Sequence, residues 1–229
     1  MREDICTIPV SEAFEENDGC AVCRMKRTVE ERILEYIMGA AMMEPDIRIE
    51  TNRLGFCERH LKMMMARRGR LQLSLMLETH TKELYDNVFK GGILSSRAKN
   101  AEKAKDKRCS CFVCDKIEWG FKRMTDTIYR TYETDRDFRD IFNSQKVFCL
   151  EHYSSLVSGS SKKNMRRYGD EFQQTLEQRA GEYLLSLTSD LRKYCSMYDY
   201  RNSGPDADWG NSQDSIERTV EFLTGYTEK

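Results

Sequence analysis

Eight residues of this chain have the types and the spacing needed to hold metal ions. They form two motifs, C-x2-C and C-x2-H, and each motif occurs twice in the same order: Cys20, Cys23, Cys57 and His60 in the first half, then Cys111, Cys114, Cys149 and His152 in the second. Three thiolates and one imidazole are the ligand set of a closed, tetrahedral zinc site. The sequence therefore predicts two zinc ions per chain, each bound by the four ligands of one half.

The motifs belong to a longer internal repeat. Cys20 and Cys23 recur 91 positions later, whereas Cys57 and His60 recur 92 positions later. A D-x-R-x3-N segment at 46–52 and again at 137–143 keeps the first offset, so one residue is inserted between this segment and the second motif. This pattern indicates a duplicated unit of about 90 residues.

The flanking residues predict helices around the motifs. Val29, Ile33 and Ile37 recur at helical spacing after the first C-x2-C, and Leu61 and Met65 do so after the first C-x2-H. Each motif is therefore expected in the first turn of a helix, where side chains three positions apart share one face. The positive end of the helix dipole at that place favours thiolate over thiol.

Other chemistries use the same residue types. An iron–sulfur cluster with three Cys and one His ligand stays open, because histidine ligation of such clusters is chemically allowed. A thioredoxin-like C-x2-C redox couple would need a strand before its first cysteine, and the sequence shows none. A catalytic zinc ion is disfavoured because four protein ligands leave no position for water. No catalytic residue is predicted, and the sequence favours a protein that is not an enzyme.

The composition predicts an all-α fold. The 229 residues include only three prolines and thirteen glycines, and runs of Glu, Lys, Arg, Leu, Met and Ala favour helix. The formal net charge of -1 gives no overall attraction to nucleic acid or to an anionic membrane. The first ten residues lack the apolar core of a signal peptide, and no apolar run is long enough for a membrane span. We expect a cytoplasmic location, where cysteines serve as metal ligands or redox thiols.

The chain is predicted to fold as two similar helical halves. Residues 1–90 form the first metal-binding repeat and begin with a short extended stretch at "TIPV". Residues 91–108 are basic and polar and are predicted to be a linker, 109–200 form the second repeat, and 201–229 form a loop and a short C-terminal helix. An apolar stripe from Phe172 to Cys195 predicts one long helix, with Cys195 in the core.

Several polar residues outside the motifs have both a structural and a functional interpretation. His80 could form a site with Glu78, but a partly buried structural histidine is favoured. The repeated D-x-R-x3-N segment predicts a local Asp–Arg pair with an Asn cap rather than an active site. Cys109 is expected to be a surface thiol, and three basic residues are candidates to compensate the charge of the metal centres: Arg24, Arg59 and Lys116.

The chain resembles a known family through a specific set of segments: "TIPVSEAF" at 7–14, "CAVC", "MEPDIRIETNRLGFCERH" at 43–60, "LMLETH" at 75–80, "CFVC" and "FCLEH". These are similar to an uncharacterised family of anaerobic, clostridial-type bacteria, domain of unknown function 6062, over roughly residues 5–195. The resemblance implies an intracellular bacterial protein with two Cys/His motifs. It brings no established activity, so no catalytic residue is carried over.

These observations favour a non-enzymatic, zinc-stabilised helical protein that binds a partner or acts as a scaffold. A protein partner is favoured over nucleic acid, because no aromatic residues interleave with the basic segments at 66–70 and 97–108. The alternative is a redox protein that carries iron–sulfur clusters or reactive C-x2-C thiols. The sequence names neither the partner nor the oligomeric state.

Overall fold

The computed structural model describes residues 6–90, 96–161, 163–199, 201–202 and 208–225, apart from the side chain of Arg108. This part of the chain holds eleven α-helices, two short 3-10 helices at Ala40–Met43 and Gly210–Ser212, and no strand. The all-α prediction is confirmed. The helices are α1 Thr7–Glu15, α2 Ala21–Met38, α3 Pro45–Leu54, α4 Glu58–Ala66, α5 Arg70–Val88, α6 Arg97–Cys109, α7 Phe112–Thr134, α8 Arg136–Asn143, α9 Leu150–Gly159, α10 Gly169–Ser196 and α11 Ser215–Thr224.

The duplication is visible in the order of the helices. Helices α1 to α5 and α6 to α10 follow the same plan, because the repeat offset carries α1 onto α6, α2 onto α7 and each later helix onto its counterpart. The segment 91–108 is therefore helical from Arg97 onward, and α6 is the first helix of the second repeat. Residues 91–95 lie outside the described part of the chain.

The prediction of an extended start at "TIPV" is wrong, because α1 begins at Thr7. Val10, Ala13 and Phe14 lie three to four positions apart and are buried, so they form the apolar face of a short helix. Pro9 is tolerated because it lies in the first turn, where its missing N–H has no helical partner.

The chain divides into two compact units whose members come from both repeats. Unit 1 comprises Met1–Lys26 with Lys122–Lys229, and unit 2 comprises Arg27–Phe121. The boundaries fall inside α2 and inside α7. Unit 1 thus combines the start of the first repeat with most of the second, and unit 2 makes the reciprocal combination. The sequence boundaries at 90 and 109 stay a prediction about the repeats.

Unit 1 has an aromatic core. The ring of Phe142 lies at its centre, with ring centroids 4.8 Å from Phe172, 4.9 Å from Phe148, 5.1 Å from Tyr132 and 5.4 Å from Phe14. Edge-to-face and offset arrangements at these distances add to the free energy gained by burial. This core joins α1 of the first repeat to α7, α8 and α10 of the second.

Unit 2 has an aliphatic and methionine-rich core. Leu34 and Ile37 of α2, Met64 of α4, Met76 of α5 and Val113 of α7 are buried in one cluster. Met65, next to the buried Met64 in "KMMMA", is 46% exposed, so this run supplies the core and the surface in turn. The core again combines helices of the two repeats.

The D-x-R-x3-N segments link helices within each unit. Arg48 on α3 donates to the carbonyl oxygen of Leu75 at 2.8 Å and to Thr79 Oγ1 at 2.9 Å, and Thr79 donates to Asn52 Oδ1 at 2.8 Å. In the second repeat, Asn143 Nδ2 donates to Glu171 Oε1 at 3.2 Å. Arg48 thus contacts the following long helix, whereas Arg139 donates to the carbonyl oxygen of Tyr132 on the preceding α7 at 2.8 Å. Among the described residues, these contacts take the place of the predicted Asp–Arg pair and Asn cap.

The boundary between α4 and α5 and the long helix α10 can each be traced to particular residues. Gly69, at φ +110°, separates α4 from α5. The stripe from Phe172 forms α10, with Phe172, Leu176, Ala180 and Leu187 buried. The prediction that Cys195 lies in the core is wrong, because its side chain is exposed. Leu187 is the last buried residue of α10, so the helix has left the core before it reaches Cys195.

Candidate metal centres

The four motifs begin four helices in the same way. Cys20, Cys57, Cys111 and Cys149 each stand directly before the first residue of a helix, and the second ligand of each motif lies in its first turn. The carbonyl oxygen of each of these cysteines accepts the first backbone hydrogen bond of its helix, at 2.8–3.2 Å. The prediction of helix N-termini is confirmed, and both side chains of a motif point to one side of the helix start.

The ligands form two groups, each with three cysteines and one histidine. Centre A, in unit 1, consists of Cys20, Cys23, Cys149 and His152, and all four are buried. Sγ of Cys149 lies 3.1 Å from Nδ1 of His152, Sγ of Cys23 lies 3.2 Å from it, and Sγ of Cys20 lies 3.7 Å from it. The Sγ atoms of Cys23 and Cys149 are 3.5 Å apart.

Centre B, in unit 2, has the same composition and a more open position. It consists of Cys57, His60, Cys111 and Cys114. Nδ1 of His60 lies 3.1 Å, 3.3 Å and 3.5 Å from the three Sγ atoms of Cys57, Cys111 and Cys114, respectively. Here His60 and Cys111 are buried, Cys57 is half-buried and Cys114 is exposed.

Each centre takes its ligands from both halves of the chain. The prediction that one half supplies all four ligands of a site is wrong, because C-x2-C of one repeat meets C-x2-H of the other. A long helix follows each C-x2-C, about 27 Å for α2 and about 35 Å for α7. The helix that precedes each C-x2-H is much shorter, about 15 Å for α3 and about 12 Å for α8. It cannot span the length of the preceding long helix, so each C-x2-H does not return to the C-x2-C of its own repeat. It lies instead beside the C-x2-C of the other repeat.

Backbone contacts fix this exchanged arrangement. The backbone N–H of Phe112, next to Cys111, donates to the carbonyl oxygen of Gly55 at 2.9 Å, just ahead of Cys57. In unit 1, the side-chain oxygen of Asn17 accepts from the backbone N–H of Lys146 at 3.0 Å. Each C-x2-C is thus held beside the loop that leads into the C-x2-H of the other repeat.

The spacing of the ligand atoms fits one metal ion per centre. With zinc–sulfur and zinc–nitrogen bonds of ordinary length, the edges of the coordination tetrahedron are roughly 3.5–3.8 Å. The four ligand atoms of each centre lie within 4.8 Å of one another. All nine cysteines of the chain are free thiols. Either centre can therefore hold a single ion with only small side-chain adjustments.

The three thiols of centre A lie so close together that each one shifts the pKa values of the others. Burial acts to raise the pKa of Cys20, but hydrogen bonds with Cys149, Cys23 and His152 outweigh it and hold this pKa well below its ordinary value. The hydrogen bond with Cys149 raises the pKa of Cys23, and the hydrogen bond with Cys20 raises the pKa of Cys149 to about 12. Three thiolates this close together need a cation between them, which a divalent metal ion supplies.

In centre B, burial and hydrogen bonds again shift the pKa values of the ligands, and the carboxylate of Glu30 takes part as well. Burial opposes the charged form of His60, but hydrogen bonds with Cys111 and Glu30 raise its pKa to about 10. Burial acts to raise the pKa of Cys111, yet the hydrogen bond with His60 lowers it to about 6. Burial and the charge of Cys111 raise the pKa of Cys114 to about 12.

Glu30 is a residue of this site that sequence reasoning missed. Its Oε1 lies 2.9 Å from Nε2 of His60, and its Oε2 accepts from Arg59 Nη2 at 2.9 Å. A carboxylate on the second nitrogen of a ligating histidine fixes the tautomer and the ring orientation. The repeat position of Glu30 in the second half is Phe121, so neither the motif nor the duplication marks it.

Helix α11 covers centre A, and this too was not foreseen. The Cys23 thiol donates to the carbonyl oxygen of Gly225 at 2.9 Å, at the end of α11. A side chain built on Gly225 would begin 3.4 Å from Sγ of Cys149. Phe222 of α11 is buried among residues of α9 and α10. The last helix of unit 1 therefore excludes solvent from the centre.

The remaining candidate residues have structural roles. Nδ1 of the half-buried His80 lies 2.8 Å from the carbonyl oxygen of Asn52, so His80 links α5 to α3. This contact agrees with the prediction of a partly buried structural histidine. Of the three basic residues, Arg59 approaches centre B through its hydrogen bond to Glu30. Arg24 bonds backbone carbonyls of Ala13 and Glu16, and Lys116 lies over the ring of Phe112. Cys109 is exposed, as expected.

The comparisons with known proteins give a family and no activity. The family model described as "Family of unknown function (DUF6062)" matches residues 1–229, so the chain belongs to this family along its whole length. No curated protein and no solved structure matches the chain. In the described part of the chain, none of the helices combines the length and the apolar character that a bilayer crossing requires.

Proposed function

We propose that this member of DUF6062 is a non-enzymatic helical binding or scaffold protein stabilised by two zinc ions. The carrying observation is that each compact unit encloses one complete Cys3His set at two helix N-termini. A structural zinc site contributes an apparent free energy of about 10–16 kcal/mol, whereas whole domains are stable by about 5–15 kcal/mol. Zinc binding would therefore decide whether each unit is folded.

The compact spacing of the ligands supports zinc over an iron–sulfur cluster. A cluster spreads its ligands over several iron atoms joined by sulfide, so the ligand atoms lie farther apart than around one ion. In centre B, Sγ of Cys57 and Sγ of Cys114 are 3.9 Å apart, which is close to the edge of a zinc tetrahedron of roughly 3.8 Å. Soft thiolates with one imidazole suit zinc among the common divalent ions.

The donor set also supports a structural rather than a catalytic role. Four protein ligands fill a tetrahedral ion, so no position is left for a water molecule or a substrate. In centre A all four ligands are buried, which adds exclusion of solvent to the closed coordination. Nine free cysteines accord with a reducing compartment, and we place the protein in the cytoplasm.

Metal analysis of protein purified without oxygen tests the proposal. We expect about two zinc ions per chain, no inorganic sulfide and no visible absorbance. Iron and sulfide with broad brown absorbance would overturn the zinc assignment and would support the alternative of a redox protein.

Paired serine variants test the ligand grouping. Cys57→Ser with Cys111→Ser removes two ligands of centre B, so we expect one zinc per chain. Cys57→Ser with Cys20→Ser removes one ligand of each centre, so both ions should be lost or weakly held. Ligand sets confined to one half would give the reverse result for the two variants. His80→Ala is the control and should keep two zinc ions.

A redox function of centre B is the second candidate. Its motivating observation is that Cys114 is exposed and Cys57 is half-buried, whereas the equivalent Cys23 and Cys149 are buried. Reactive cysteines lie in accessible positions of this kind. Loss of only the centre B ion on exposure of the zinc protein to hydrogen peroxide would favour this candidate, and equal retention of both ions would count against it.

A further inference from the structure

The α4/α5 face of unit 2 carries an apolar cavity beside centre B. Its volume is about 560 Å³, and its lining includes Cys57, Leu61, Met65, His80, Val88 and Phe89. Met65 is 46% exposed and Phe89 is 66% exposed, although both are large apolar side chains. A second cavity of about 490 Å³ shares Leu61 and Met65 with the first and extends along α5 past Leu77. The two cavities form one groove, which we call the α4/α5 groove.

The internal duplication shows what covers the corresponding face of unit 1. The repeat offset carries Leu61 onto Tyr153 and Val88 onto Ala180. Tyr153 and Ala180 pack in one apolar cluster with the buried Phe222 of α11. On the α9/α10 face of the second repeat, Phe222 of the short helix α11 therefore occupies the place that corresponds to the α4/α5 groove.

The metal ligands follow the same correspondence. Cys57, which lines the cavity, corresponds to Cys149, and a side chain on Gly225 would begin 3.4 Å from Sγ of Cys149. The exposed Cys114 corresponds to the buried Cys23, whose thiol bonds the carbonyl oxygen of Gly225. Centre A is thus sealed by the end of α11, whereas in centre B Cys114 is exposed and Cys57 is half-buried.

The charges around the cavity suit the end of a helix. Lys62, Lys107 and Glu58 line the cavity beside its apolar floor; Glu58 pairs with Lys62 at 2.8 Å, and the second lysine leaves the lining with a net positive charge. The last turn of a helix presents unsatisfied carbonyl groups and the negative end of its dipole, which lysine side chains stabilise. An aromatic side chain next to such an end would find an apolar seat between Leu61 and Val88.

We propose that the α4/α5 groove binds the C-terminal turns of an amphipathic helix from a partner protein, with an aromatic residue in the cavity beside Cys57. The bound helix takes the place over centre B that α11 takes over centre A, and it shields Cys57 and Cys114 from solvent. This inference deepens the proposed function by giving the partner's chemical class, and it rests on that function. It follows the helix-in-groove mode of recognition.

The test uses the full zinc-loaded chain and a labelled synthetic peptide of residues 211–225, which carries α11 and its Gly225 end. We expect saturable binding by fluorescence anisotropy, and at least tenfold weaker binding of the same peptide with Phe222→Ala. Met65→Glu and Phe89→Glu in the full chain should each weaken binding at least tenfold. Both side chains are exposed, so these variants keep the fold, which two bound zinc ions verify.

The control is Leu185→Glu, which places the same charge on an exposed leucine of α10 in unit 1 and should leave binding unchanged. Bound peptide should also slow the transfer of the centre B ion to a chelator. Absence of saturable binding, or binding that Met65→Glu does not weaken, would overturn the inference. So would a dimer of the free chain that Met65→Glu dissociates, because the occupant would then be a second copy. Zinc content is measured separately, so a failure of the proposed function is told apart from a failure of this inference.

Discussion

The imidazole of His60 contacts two different groups through its two nitrogen atoms. Nδ1 faces the three thiols of centre B, and Nε2 lies 2.9 Å from Oε1 of Glu30. Because Glu30 is only 4% exposed, its charge acts on the imidazole with little screening by water. The carboxylate therefore raises the basicity of the ligand and fixes which nitrogen the metal meets.

Glu30→Gln should weaken metal binding at centre B by about 10- to 100-fold, because the amide keeps the shape of the side chain and loses its charge. Competition with a chromophoric chelator would measure the affinity of each centre. Glu31→Gln is the matched control, because Glu31 pairs with Arg67 rather than with a ligand of centre B. Equal affinities of the two variants would show that Glu30 does not tune the metal.

Gly55 stands where both the backbone and a neighbouring ring require glycine. Its φ of +64° and ψ of −154° lie in a region that only glycine adopts easily, and an added Cβ would lie 2.6 Å from Cε1 of His80. Gly55→Ala should lower the free energy of unfolding of unit 2 by roughly 1–3 kcal/mol from the backbone alone. Denaturant unfolding followed by circular dichroism would measure this loss.

The clash with the ring can be separated from the backbone strain. Gly55→Ala combined with His80→Ala should recover the part of the loss that the clash causes and leave the backbone part. Gly181→Ala, in the open helical position of α10, should instead stabilise the protein by about 0.5–1 kcal/mol. A Gly55→Ala protein as stable as the parent would contradict the assigned strain.

The helices have two roles at the metal centres: their first turns position the ligands, and one helix shields a centre from solvent. Four helix starts carry the eight ligands, and α11 closes one of the two centres. Arg218 fixes α11 by bonding Asp190 of α10 at 3.0 Å, while Phe222 fills the apolar site between α9 and α10. Helix α11 therefore contributes to the burial of centre A.

Phe222→Ala should release α11 from its site, since removal of a buried phenylalanine side chain costs about 3–5 kcal/mol. The ion of centre A should then pass to a chelator at a rate closer to that of centre B, measured by stopped-flow absorbance. Leu223→Ala is the control, because Leu223 is 53% exposed on the same helix. An unchanged transfer rate in Phe222→Ala would mean that α11 does not protect the centre.

At the scale of the whole molecule, the sequence was sufficient for some features and insufficient for others. Helical periodicity and the motif spacing predicted the all-α class and the helix starts that hold Cys20, Cys57, Cys111 and Cys149. These features depend on neighbours in sequence. The exchange of motifs between repeats depends on the relative lengths of α2 and α3. The burial of Glu30 and the docking of α11 depend on long-range packing that leaves no local pattern.

The exchanged arrangement makes the two repeats dependent on each other. Each centre takes one motif from each repeat, and each compact unit contains helices of both. Neither repeat alone contains the partners that its own motifs contact. The metal ions therefore act as two links between the halves of the chain, in addition to the two apolar cores.

Co-expression of residues 1–92 and 93–229 as separate chains tests this dependence. The first fragment carries Cys20 and Cys23 of centre A with Cys57 and His60 of centre B, and the second carries the remaining ligands. We expect a 1:1 complex with two zinc ions by native mass spectrometry, because both ions bridge the fragments. A strong chelator should separate the fragments, since loss of each ion removes the apparent 10–16 kcal/mol of a structural site. Two independent fragments with one zinc ion each would contradict the exchange and would restore a ligand set within each half.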